Sequence, residues 1–167
     1  TYNGDPVNLP ENPTRNGYTF NGWFTASSGG ERINDVGKDN KPTSDVTYYA
    51  QWTEILSTIT ITTNPAKGGN VTVDDEQFTP GNTVQVGVDT HKKVTTIPNP
   101  GYGVISWEFK GAAKYITGGN TVTLASDGSG KTGELIANYT PLSRNIQFDK
   151  QGGEDGTETA TVTYTQN

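Results

Sequence analysis

Two stretches of the chain, "GYTFNGWFTASSGG" (Gly17 to Gly30) and "GYGVISWEFKGAA" (Gly101 to Ala113), are copies of one pattern. In each, Gly-Tyr is followed by a tryptophan six positions after the glycine, Trp23 and Trp107, with apolar residues alternating with small or polar ones between. A repeat constrains the fold strongly, because each copy is one supersecondary unit that must bury its apolar face against a neighbour. The match continues downstream. "TYYAQW" (Thr47 to Trp52) ends 35 positions after Gly17, and "ELIANY" (Glu134 to Tyr139) ends 38 positions after Gly101. Upstream, "YNGDPV" (Tyr2 to Val7) sits against "TPGNTV" (Thr79 to Val84), both turn sequences leading into a strand.

The second copy carries more material before that turn. "TITITTNPAKGGNVTV" (Thr58 to Val73) is two alternating strands around an Asn-Pro and Gly-Gly connection, which reads as a β-hairpin. The first copy has nothing equivalent in front of it, whereas "NIQFDKQGGEDGTETATVTY" (Asn145 to Tyr164), at the other end, has the same layout of strand, Gly-Gly turn and strand. The expected organisation is therefore the rear half of one module at 1–54, a complete module at 55–141, and the opening hairpin of a further module at 142–167. The short linkers Thr53 to Ser57 and Pro141 to Arg144 mark the boundaries. The chain has no methionine, which suits a piece of a longer polypeptide.

Composition agrees with short strands joined by turns. With 30% hydrophobic residues, 21 glycines and nine prolines among 167 residues, large helical cores are excluded, and threonine and valine favour a pleated surface. The expected class is mainly β: tandem small modules with short antiparallel or mixed sheets and little or no helix. The formal charge of −6 leaves no electrostatic footprint for nucleic acid. The basic run His91-Lys92-Lys93 reads as a solvated strand end. Without cysteine there is neither a disulfide framework nor a thiolate metal site. No apolar run approaches membrane-spanning length, and no signal or lipidation motif is present, so export and anchoring signals are expected outside this piece.

At these residues the chain resembles the Listeria-Bacteroides repeat, or internalin B-repeat, family of bacterial surface proteins. The motif is "P-x-x-x-G-Y-T-F-x-G-W-F" (Pro13 to Phe24), closed by "Y-Y-A-Q-W" (Tyr48 to Trp52), with "I-Q-F-D-K-Q-G-G" (Ile146 to Gly153) as the usual opening strand of the next repeat. The central segment, about 55–141, is similar to a divergent repeat that often accompanies it. It keeps Gly101, Tyr102, Trp107 and the Ile136-Ala137-Asn138-Tyr139 strand but has Val104 for the Phe and Ser106 for the Gly before Trp. The resemblance implies small β-grasp-like modules in stalks or adhesive regions of exported or surface-anchored bacterial proteins, with no catalytic residues to carry over.

In modules with few large apolar residues each aromatic matters. Tyr18 and Phe20 share one strand face, and Trp23 takes the other unless a bulge at Asn21-Gly22 rotates it. Burying one tryptophan contributes about 4–6 kcal/mol before entropy. Tyr18, Phe20, Trp23, Trp52, Tyr102, Trp107 and Tyr139 are therefore the expected core anchors, with an aromatic platform for sugar rings as the functional alternative. Asp74-Asp75-Glu76, and Asp149, Glu154 and Asp155 around Gly152-Gly153, read as solvated turns, with Ca²⁺ ligation as the rival reading. "GSGK" (Gly128 to Lys131) lacks the spacing of a phosphate loop and reads as a hairpin turn. His91 is the sole histidine and no nucleophile elbow is present, so no enzymatic activity and no cofactor are expected.

The functional expectation is a non-catalytic structural or adhesive repeat region of a bacterial cell-surface or secreted protein, acting as spacer or binding stalk. The alternative is a carbohydrate-binding module of a secreted enzyme. The hairpin carrying Ile146, Phe148, Val162 and Tyr164 is expected to complete a half-module by strand pairing, either that of its own chain or, preferred because the linker Pro141 to Arg144 is short, that of another copy or a flanking repeat. A host or cell-surface protein or glycan is the other partner class; nucleic acid and membrane insertion are not expected.

Overall fold

Alternation of threonine with isoleucine in "STITITTN" determines which side of that strand faces inward, and that strand, together with the apolar run of "ELIANY", organises the centre of the molecule. The computed structural model describes residues 8–163 apart from 39, 117, 152, 155, 157 and 158. The turn Tyr2 to Val7 and the hairpin residue Tyr164 lie outside the described residues.

The chain begins with a small sheet of β1 (Tyr18–Phe24), β2 (Arg32–Ile33) and β3 (Tyr49–Glu54), in the order β2-β1-β3. The central body follows as β4 (Ser57–Asn64), β5 (Gly69–Val73), β6 (Glu76–Phe78), β7 (Thr83–Val86), β8 (Lys92–Pro98), β9 (Tyr102–Gly111), β10 (Ala113–Tyr115), β11 (Thr121–Ser126) and β12 (Thr132–Pro141). These strands form two sheets, β7-β4-β12-β9 and β10-β11-β8-β5-β6. The last pair is β13 (Ser143–Gln147) with β14 (Thr159–Thr163), antiparallel. The helical structure among the described residues is one 3₁₀ turn, Ala66–Gly68. The protein is thus mainly β, with small antiparallel and mixed sheets, as its composition implies.

β4 and β12, the first and last strands of the central body, pair in parallel, from Thr132 beside Thr58 to Asn138 beside Asn64. The inward side chains of this pair, Ile59, Ile61, Leu135 and Ala137, have no exposed surface. Val71, Val94, Val122 and Leu124 of the facing sheet meet them, each at most 1% exposed. Tyr102 and Tyr139 close the same core.

Two connections differ from the sequence reading. Thr58 to Val73 is an arch: β4 pairs with β7 and β12, while β5 pairs with β6 and β8 in the other sheet. Alternation identifies the buried face of a strand but not its partner. The crossing is shaped by Tyr139: a Cβ on Gly68 would meet the Tyr139 Cβ at 2.5 Å, and one on Gly69 would meet its ring at 2.8 Å. Its hydroxyl donates to the Asn70 carbonyl at 2.5 Å. Similarly, Gly128 to Lys131 carries the chain from β11 in one sheet to β12 in the other and closes no hairpin. Asp74 and Asp75 do form a tight two-residue hairpin turn, with φ of 51° and 68°.

Because Leu135 is fully buried on the central strand, Leu135→Ala is expected to lower stability by about 2–5 kcal/mol, read from urea unfolding. A loss under about 1 kcal/mol would mean that the strand is not the core of this module.

Candidate functional site

The two copies of the repeat are superimposable in register. β1 and β3 are antiparallel with Phe20 opposite Trp52, Gly22 opposite Gln51 and Trp23 opposite Ala50, with a bulge between Phe20 and Gly22. β9 and β12 place Val104 opposite Tyr139, Ser106 opposite Asn138 and Trp107 opposite Ala137, with the shift at the same step. The bulge turns Trp23 onto the face of Phe20. The two rings meet edge to face at 5.7 Å, and Phe20 lies 5.2 Å from Trp52. Gly22 has φ of 128° at its bulge, where a Cβ would also meet Arg32 Nε at 2.6 Å, whereas Ser106 holds the equivalent place in the second copy without a positive φ.

What differs is the second edge of the closing strand. In the central body β12 is flanked by β9 and β4; in the first sheet β3 has β1 on one side and no described strand on the other. Tyr18, Phe20, Trp23 and Trp52 are half-buried, and so is Trp107, whereas Tyr102 and Tyr139 are each 4% exposed. The Trp23 indole N–H is buried without a hydrogen-bond partner among the described residues. Beside the open edge Val46 is 51% exposed.

At the far end of the chain the opposite deficit appears. Every residue of β13 is exposed, with Ile146, Phe148 and Val162 presenting apolar side chains to solvent. Ile59 and Ile61, which hold the corresponding places in β4, are wholly buried.

The first sheet is nevertheless docked on the central body. The Glu54 carboxylate accepts the backbone N–H groups of Asp89 and Thr90 at 2.6 and 3.0 Å and the Thr90 hydroxyl at 2.5 Å. Tyr18, opposite Glu54 in the β1–β3 register, donates its hydroxyl to Asp89. Arg15 lies over the Tyr18 ring at 3.7 Å and pairs with Asp89 at 3.4 Å. Gly17 fits against Val88, which a Cβ there would meet at 2.6 Å. The loop 87–90 thus serves as a socket for one end of β1 and β3. This contact was not legible in the sequence, since Glu54 and Asp89 belong to no motif.

Burial pushes the Glu54 carboxyl up, but the hydrogen bonds from the Thr90 hydroxyl and from the backbone of Asp89, Thr90 and Val88 outweigh it and hold the pKa below the usual glutamate value. The remaining acidic turns are occupied locally. Lys92 pairs with Asp74 at 2.6 Å and Lys93 with Asp75 at 2.7 Å. Asp149 accepts from the backbone and side chain of Gln151. Asp155 and Gly152 lie outside the described residues. The His91 ring is 2.7 Å from the Val88 carbonyl.

These features define a class: a β-repeat chain whose central body is closed by pairing its first strand with its last. Residues 1–51 match the Listeria-Bacteroides repeat domain and 59–141 the divergent InlB B-repeat domain, so the chain belongs to these repeat families. Internalin H of Listeria monocytogenes serovar 1/2a is 48% identical to it over 47 residues, 28% of this chain. The chain spans only 8% of the length of that relative. No solved structure matches it.

A carboxylate with a depressed pKa stabilises its contacts fully above its unfolded value and loses them as the pH falls through its folded value. Amide resonances of Asp89 and Thr90 should therefore shift together on acidification, with a midpoint below the ordinary glutamate range. In Glu54→Gln that titration should vanish. A midpoint at or above the ordinary value would show that the socket does not hold Glu54.

Proposed function

We propose that this chain is a non-catalytic structural and adhesive repeat region of an exported bacterial surface protein, a spacer whose modules are completed by strands from their neighbours. One observation carries the reading: a closing strand with an open edge, β3, and an opening strand with an exposed apolar face, β13, occur together. The membership in the two repeat families and the likeness to an internalin support the surface setting. On this reading the modules divide at 54/55 and 141/142.

The internal repeat supplies the register. Ala50 corresponds to Ala137, since each faces the tryptophan of its repeat, and Ile146 corresponds to Ile59 by distance from the preceding closing strand. Gly133 lies beside Ile59 and Leu135 beside Ile61. Transferred to the open edge, this parallel pairing sets Ile146 beside Val46 and Phe148 beside Tyr48. The exposed apolar residues at the two ends of the chain then cover one another.

Polarity favours a neighbour over self-closure. β4 and β12 run parallel, so the first sheet adjoins one end of the central body and β13 leaves from the other, about 30 Å away at ~3.3 Å per residue. Burying two such side chains contributes about 3–6 kcal/mol, against an association cost of about 4 kcal/mol or more. Separate molecules would then associate weakly. Adjoining repeats of one polypeptide, at high effective concentration, would pair readily.

Since the chain has no cysteine, the register can be read directly by cross-linking. A Val46→Cys chain mixed with an Ile146→Cys chain should form a disulfide-linked heterodimer, and Asn145→Cys, one residue out of register, should form far less. Phe148→Asp should abolish the concentration-dependent rise in sedimentation coefficient. Equal cross-linking at 145 and 146, or a monomer at every concentration, would end the proposal.

A further inference from the structure

The divergent module has an opening that the strand-pairing function does not use. β9 and β10 are each an edge of one of the two central sheets, and they lie on the same side because Ala112 alone connects them. Between them, and under the loop that joins β10 to β11, is a cleft of about 370 Å³. That volume lies at the small end of the range for ligand pockets. Trp107, Phe109 and Tyr115 line it, with Ser106, Gly119 and Asn120 at its polar side.

The aromatic rings are arranged as a backed platform. Phe109 and Tyr115 stack with centroids 4.8 Å apart and planes inclined by 27°. Phe109 is half-buried against the core, whereas Tyr115 is 59% exposed, so one face of Tyr115 is supported and the other is open. Trp107 spans the gap between the sheets, its indole N–H donating to the Gly119 carbonyl at 2.7 Å. That bridge ties the indole to the loop that follows β10. Asn120 and Ser106 make no side-chain hydrogen bond among the described residues, and both can donate and accept. Among the described residues, no charged residue lines the cleft. Gly118 and Gly119 add no bulk, since a Cβ on either would meet nothing within 4 Å.

An occupant must therefore be compact, uncharged, apolar on a flat face and rich in hydrogen-bonding groups at its edge. We propose that this cleft is a saccharide-binding site for a neutral pyranose unit of a polysaccharide. The ring's C–H face packs on Tyr115 and Trp107, and its hydroxyls exchange hydrogen bonds with Asn120 and Ser106. Acidic sugars are disfavoured because the site offers no cation and the chain carries a net charge of −6. The site is separate from the open edge of β3, so it stands or falls independently of strand pairing.

The test uses the whole chain on an array of neutral and acidic glycans, followed by tryptophan-fluorescence titration with cellotetraose, mannotetraose, chitotetraose and tetragalacturonate. The expected result is a saturable response to at least one neutral tetraose and none to tetragalacturonate. Tyr115→Ala, at an exposed position, should weaken that binding about tenfold or more with an unchanged melting temperature, and Tyr115→Trp should retain it. Phe148→Asp should leave it untouched. The proposal is overturned if no neutral glycan binds, if binding survives Tyr115→Ala unchanged, if acidic sugars are preferred, or if a peptide library yields Tyr115-dependent binders where glycans do not.

Discussion

Everything in the central body depends on the parallel pairing of its first strand with its last. Thr58 and Thr132 lie 74 positions apart along the chain, and bringing these strands together closes the whole module as one loop. The closure is stabilised where it occurs: four inward side chains on the pair have no exposed surface, and the facing sheet meets them with branched aliphatics. Once β4 and β12 are paired, β7 and β9 add to their outer sides, and the arch over Tyr139 carries the chain into the second layer. Such non-local pairing is slow to form, because its loop entropy is lost before its contacts are gained.

The first sheet shows what the same sequence plan does when the opening strand is missing from the described residues. β1 and β3 keep the register, the bulge and the aromatic face of their counterparts, but the aromatics stay half-exposed and, among the described residues, only Ile33 is a buried hydrophobic there. The socket at 87–90 compensates in part, using a carboxylate and exposed backbone N–H groups in place of apolar burial. Interactions of that kind orient one sheet on another while contributing little net stability in water. The arrangement is therefore aligned at one end and, among the described residues, open along an edge.

Much of this was legible in the sequence. The repeated Gly-Tyr to Trp pattern located equivalent strands, and Asn21-Gly22 marked a bulge that the second copy shares without its glycine. The inward face of Thr58 to Asn64 followed from its alternation. Partners did not, because period-two patterning says nothing about which strand lies alongside; hence Thr58 to Val73 read as a hairpin. The aromatic cleft was invisible for a related reason. Trp107 stood out within its motif, but Tyr115 and Asn120 come from a different sheet edge and a loop, and only the folded sandwich places them beside it.

Parallel terminal strands have a mechanical consequence. A pull applied between Ser57, where β4 begins, and Pro141, where β12 ends, draws the two neighbours past each other in opposite directions along their length. The hydrogen bonds from Thr58 to Asn64 are then loaded together in shear, and none can be peeled away singly as at the mouth of an antiparallel hairpin. Under tension the resistance of a domain is set by its unfolding rate, and this geometry places the whole ladder across the barrier. A chain of such modules would bear load along its axis much as a tether does.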